Sequence, residues 1–178
     1  MKKLCFALLM LVTTGTFAQI KNNVTKSAVR FELKNLGIKT GGTIGGVQAI
    51  VDFDPAKLAT SKIEATADVT TINTDNSMRD EHLKREDYFY TDVYPKIIMS
   101  SVSFKKKGSN FIGRFNLTIK GKTRPVDVPF SYTEAGSTAT FKGSFKILRA
   151  DFGIGGSSMT MSDEVTIFID AVTTNDTP

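Results

Sequence analysis

The sequence predicts an all-β domain of eight antiparallel strands, on three observations. Eight stretches alternate apolar and polar residues with a period of two. The breaks between them are short and rich in Gly, Pro, Asp or Ser, as hairpin connections are. Helical periodicity is confined to one region, residues 72–97, with a faint trace in "PAKLA".

Ahead of the first strand lies a segment of another kind. "MKK" is a basic start, "LCFALLMLV" a short apolar run, and "TGTFA" ends in small residues. This is the pattern of a cleavable signal peptide, with cleavage expected after Ala18. The apolar run is too short to span a bilayer. The expected organisation is therefore a signal peptide over 1–18 and a single domain over 19–178. Processing would remove Cys5, the only cysteine, so no disulfide or cysteine metal site is expected. It would also remove Lys2 and Lys3, leaving 21 basic residues against 18 acidic. That mild excess, without a basic face, does not point to nucleic acid, although it admits weak attraction to a membrane surface.

The strands follow in order. "VRFEL" sets Val29, Phe31 and Leu33 on one face, and "VQAIVDF" sets Val47, Ala49, Val51 and Phe53. "KIEATADVTT" sets Ile63, Ala65, Ala67 and Val69 opposite Glu64 and Asp68. "IMSSVSF" is read with Ile98, Ser100, Val102 and Phe104 inward, and "FIGRFNLTI" with Phe111, Gly113, Phe115, Leu117 and Ile119. "VDVPFSY" contributes Val126, Val128, Phe130 and Tyr132, and "FKGSFKI" contributes Phe141, Gly143, Phe145 and Ile147. "VTIFIDA" closes the series with Val165, Ile167, Ile169 and Ala171. Eight such strands can form a sandwich or a closed barrel. Closure removes sheet edges, which suits a domain without disulfides. The small inward residues Ala65, Ala67, Ser100, Gly113 and Gly143 would either leave a cavity or let large neighbours interdigitate. A cavity with this lining would take a greasy ligand.

The exception to the β pattern is "INTDNSMRDEHLKREDYFYTDVYPKI". Asp75 or Asn76 can cap a helix, and "SMRDEHLKR" fits two turns. Asp80 and Glu81 come early and Lys84 and Arg85 late, the order a helix dipole favours. Met78, His82 and Arg85 share one side, Arg79 and Leu83 another. Pro95 ends any helix before it. His82 is the only histidine. It is read as a fixture of the barrel mouth rather than a general base, because no hydrolase or zinc signature accompanies it. Arg79 and Asp80 would pair with the charges of "RADFG", or Arg79 would meet an anionic head group. Arg149 and Asp151 interrupt an alternating strand, which suggests a buried or mouth-lining pair.

Three motifs carry a resemblance. The first stretch resembles the hallmark of the YceI-like family, I-x-T-x-x-x-x-R-D-x-H-L-x-x-x-D-F-F-D-x-x-x-Y-P. Ile72, Thr74, Arg79, Asp80, His82, Leu83, Asp87, Phe89, Tyr94 and Pro95 match it, while Tyr88 and Tyr90 depart. "FIGRFNLTIKGKTRPVDVPF" resembles G-x-L-T-I-x-G-x-T-x-P-V through Gly113, Leu117, Thr118, Ile119, Gly121, Thr123, Pro125 and Val126. "LRADFGIG" resembles R-x-D-F-G through Arg149, Asp151, Phe152 and Gly153.

The resemblance covers residues 24–172. It implies an eight-stranded antiparallel lipocalin-like barrel with a short helical segment near residues 76–92. It also implies binding of polyisoprenoids or other amphiphilic lipids, a periplasmic or secreted location, and no catalytic activity; it admits a homodimer. The expected function is an exported binding protein holding an elongated lipid (polyisoprenoid, quinone or fatty-acid-like) for sequestration or transport. The expected lining is Phe31, Phe115, Phe130, Phe141 and Phe145 with Val69, Leu117 and Ile167. Met78, Arg79, His82, Leu83 and Phe89 are expected at the mouth. No metal or resident cofactor is expected beyond such a lipid. The alternatives are a stress-related surface protein with a filled barrel, or a hydrolase or isomerase using His82 and Asp80.

Overall fold

The computed structural model describes residues 23–174; the expected signal peptide lies outside the described residues. Eight strands run in chain order: β1 (Val24–Asn35), β2 (Ile38–Asp52), β3 (Lys62–Asn73), β4 (Lys96–Lys107), β5 (Asn110–Ile119), β6 (Lys122–Ala135), β7 (Thr138–Leu148) and β8 (Glu164–Thr174). Each pairs antiparallel with the next, and β8 returns to β1 with Val29 opposite Ile169, closing a barrel. Helix α1 (Ser77–Lys84) lies between β3 and β4, and a 3-10 turn, η1 (Arg149–Phe152), follows β7.

The hairpins β1–β2 and β5–β6, the α1 connection and the β7–β8 connection share one end of the barrel, here the α1 end. Two of these connections are two-residue turns with both φ angles positive, at Leu36–Gly37 and Lys120–Gly121. That conformation matches the right-handed twist of the flanking strands. Gly121 has a second reason to lack a side chain: a Cβ there would meet the Tyr94 ring at 2.9 Å.

The opposite end is plugged by aromatics. Phe53 contacts the rings of Phe104, Phe111, Phe130, Tyr132 and Phe141, with centroids 5.2–5.6 Å away. Edge-to-face pairs of this kind add to the area each ring buries.

Period-two alternation places the inward faces as expected on β1, β5, β6, β7 and β8. The exception is β4. Ile97 and Met99 face inward, whereas Ile98 is 44 % and Val102 57 % exposed, and Ser100 lines neither chamber of the barrel interior. A bulge corrects the frame: Ser101 pairs with Phe115, but Ser103 already pairs with Arg114. The extra residue shifts the parity, so Phe104 comes back inward. β2 and β3 bulge similarly. Ile44 and Val47 both face in around Gly45 and Gly46, and Val69 and Ile72 are both buried around Thr70 and Thr71.

The helical segment is shorter than residues 76–92. Asn76, not Asp75, caps α1 by accepting from the Arg79 N–H, and Arg85 is already extended. Residues 85–94 continue as turns held by bonds such as Phe89 N–H to Leu83 O (3.0 Å) and Tyr94 N–H to Tyr90 O (2.8 Å).

A candidate lipid-binding cavity

The small inward residues divide between the two roles open to them. Gly113 permits interdigitation: the rings of Phe115 and Phe104 lie where its side chain would be. Ala65 and Ala67 instead leave space. Next to them lies a cavity of about 220 Å³ at the α1 end. A second chamber of about 100 Å³ lies deeper. The two share the wall residues Val29, Val47, Ala65, Met99 and Ile169, so they form one channel with a waist. The lining follows β1 from Leu33 to Val24, about 30 Å of strand at ~3.3 Å per residue. With strands tilted by ~40° that is roughly 20 Å along the barrel axis.

Phe31, Leu117, Phe145 and Ile167 line the larger chamber, and Phe115, Phe130 and Phe141 the smaller. Val69, expected in the lining, is instead 1 % exposed and borders neither chamber; its N–H donates to Pro95 O at 2.8 Å.

At the mouth, Leu83 and Phe89 pack on a cluster of Ile44, Ala67 and Ile72, which docks α1 against the rim. Both line the cavity, as do Arg79 and Tyr88. Met78 does not close the mouth. It is 82 % exposed, because helical spacing turns it away from the Arg79–Leu83 side. His82 also faces outward. Its Nε2 lies 3.6 Å from Asp87 Oδ2, both side chains are more than half exposed, and its ring meets the edge of Tyr88.

Arg79 and Asp80 do not pair with "RADFG"; they converge on buried Thr74. Asp80 Oδ1 accepts from the Thr74 N–H at 2.9 Å and hydroxyl at 2.5 Å. Arg79 Nε donates to the same hydroxyl oxygen at 2.8 Å and Nη2 to Thr74 O at 2.6 Å. These bonds fix the start of α1 to the end of β3. They also engage Asp80, and with His82 turned to solvent the two do not form an acid–base pair facing the cavity. Arg79 has no ion-pair partner among the described residues and borders the cavity.

Arg149 is buried, at 3 % exposure. Its partner is Asp163 at 3.0 Å, not Asp151, which is exposed. Its guanidinium also donates to the carbonyls of Ile154 (2.8 Å), Gly156 (2.6 Å), Ser162 (3.1 Å) and Met161 (3.3 Å). A planar fork of five donors suits this task. The residue shapes the β7–β8 connection that forms part of the rim. Lys120 ties that connection to the α1 region, donating to Glu86 O (2.6 Å) and Gly153 O (3.1 Å).

The lining is overwhelmingly hydrocarbon; its charged members, Arg79 and Arg149, lie at the α1 end with Asn35, Thr40 and Thr74, while Thr66 and Ser27 are the polar residues farther down. Such a site recognises an apolar body by burial and a polar head by few contacts. Sequence reasoning did not find Tyr88, Met161 or Ile154 as wall residues, since they sit on connections where no periodicity marks an inner face.

The chain shares this architecture with known proteins. A family model described as the YceI-like domain matches residues 20–173. The protein YceI of Escherichia coli is 30% identical over 148 residues, 79% of this chain and 78% of that one. The crystal structure of BcnA from Burkholderia cenocepacia superposes with a TM-score of 0.80 at 31% identity, over 83% of this chain and 96% of that chain. A polyisoprenoid binding domain from Saccharophagus degradans superposes with a TM-score of 0.65 at 12% identity, over 88% of this chain and 99% of that chain.

Proposed function

This chain belongs to the YceI-like family, and from that premise we propose that it is a binding protein that holds an elongated apolar or amphiphilic lipid inside its barrel. The ligand class is a polyisoprenoid, quinone or fatty-acid-like chain, bound for sequestration or transport rather than for reaction. One observation carries the reading: a two-chambered, largely hydrocarbon channel whose charged lining residues, Arg79 and Arg149, both lie at one end. A chain-like ligand would place its tail toward the Phe53 plug. Its head would meet Arg79, so an anionic or oxygen-rich head is favoured. The polyisoprenoid-binding domain of similar fold supports the same class of cargo. The signal-peptide pattern over residues 1–18 supports processing after Ala18 and a periplasmic or secreted location.

The cavity favours this reading over a filled barrel, and the outward His82 favours it over a His82/Asp80 hydrolase or isomerase. The test is native mass spectrometry of protein purified gently, without detergent. The expected result is a bound mass in the range of a long prenyl or acyl lipid, or uptake of added polyprenol or ubiquinone. A bare chain that takes up neither overturns the proposal.

A further inference from the structure

At the α1 end the rim carries apolar side chains that nothing among the described residues covers. Leu36 is 72 % exposed and Ile38 71 %, both at the tip of the β1–β2 hairpin, and Met159 in the β7–β8 connection is fully exposed. The two connections form one ledge. Leu36 N–H donates to Thr160 O and Ser162 N–H to Lys34 O, each at 2.8 Å, and Asn35 bridges Met161. The ledge adjoins the channel, because Leu33, Asn35, Thr40 and Met161 line the larger chamber.

Two features argue for what covers this ledge. Leu36 adopts φ +52, a conformation in which Asn, Asp or Gly would normally sit in such a turn. A leucine there is strained, and its side chain makes none of the core packing that would offset the strain. The charge is also one-sided. No acidic residue occurs from Leu33 to Val51 or from Phe152 to Ser162, while Lys34 and Lys39 flank the tip. Lys39 pairs with Glu32 behind the ledge, and Lys34 has no ion pair among the described residues. Exposed leucine, isoleucine and methionine flanked by lysine match the interface of an anionic bilayer, with apolar tips among acyl chains and ammonium groups at phosphates.

We infer that the Leu36–Ile38–Met159 ledge is a membrane-docking surface that sets the mouth of the barrel on an anionic phospholipid bilayer. An apolar cargo could then pass between bilayer and channel without crossing water. This deepens the lipid-binding reading, yet docking is measured without any cargo.

The experiment is co-sedimentation of the protein purified after export with vesicles of phosphatidylethanolamine and phosphatidylglycerol, against vesicles of phosphatidylcholine alone. The expected result is partition onto the anionic vesicles, weakened by salt, and a drop of roughly tenfold or more for Leu36→Asn combined with Ile38→Ser and Met159→Ser. Asn relaxes the turn, so the variant keeps its fold, checked by thermal unfolding. Its cargo, read by native mass spectrometry, is retained; loss of cargo binding in both proteins would strike the lipid-binding reading instead. Absence of wild-type partition, or partition unchanged in the triple variant, overturns the docking surface. So does a wild-type dimer that the substitutions make monomeric without change in partition, which would assign the ledge to a second copy of the chain.

Discussion

Asp68 holds the point where β3 bulges. Its Oδ1 accepts from the Thr70 hydroxyl at 2.6 Å and the Thr70 N–H at 2.9 Å. These bonds, and then the nearby Lys96, hold its carboxyl below the ordinary value of 3.8. A depressed value in the folded state means the stabilisation is present above the unfolded value and is lost as pH falls through the folded one. The expected outcome is an acid-side decline in thermal midpoint below about pH 4 that is shallower in Asp68→Asn; calorimetry across pH checks it. Arg149 works on a larger scale of energy. Truncation would leave four carbonyls without their donor, while Asp163, more than half exposed, stays solvated; the cost is then that of the carbonyls left unsatisfied, about 1–3 kcal/mol for each that stays buried. Arg149→Ala should therefore lower the urea midpoint by a corresponding amount, and Arg149→Lys should restore only part of it, since an ammonium cannot span the same fork.

At the scale of elements, the legible parts were those where one rule acts alone. β5 reads correctly from Phe111 to Ile119 because its pairing with β6 has no irregularity and every second residue is buried. β4 does not, because "IIMSSVS" has no strongly polar residue to fix the frame and the bulge at Val102 changes the frame midway. The helix was visible from its cap and charge order. Its length was not, since residues 85–94 hold successive turns through backbone bonds that any sequence can make. The Arg79–Thr74–Asp80 knot was misassigned for a related reason: the partner is a buried threonine only a few residues away, while charge alone pointed to distant ions. Arg149 was recognised as buried or mouth-lining, but its partner Asp163 lies across a connection that no periodicity reaches.

For the whole molecule, the channel is space between elements that are otherwise packed, and Ala65 is the smallest of the five side chains that border both chambers. Enlarging that residue should fill space rather than collide with a full core. Ala65→Leu is expected to leave the melting temperature unchanged or raised, unlike the 1–3 kcal/mol loss typical of overpacking, and to reduce retention of long-chain cargo in native mass spectra. Closure of the barrel bears on when such a site exists at all. Every strand pairing but one joins neighbours in the chain; the exception, β1 with β8, joins its two ends. Val29 and Ile169 face each other across that seam and both line the channel. During synthesis the channel therefore lacks a closed wall until β8 has emerged, so under the proposed function lipid can be taken up only once the whole barrel has formed.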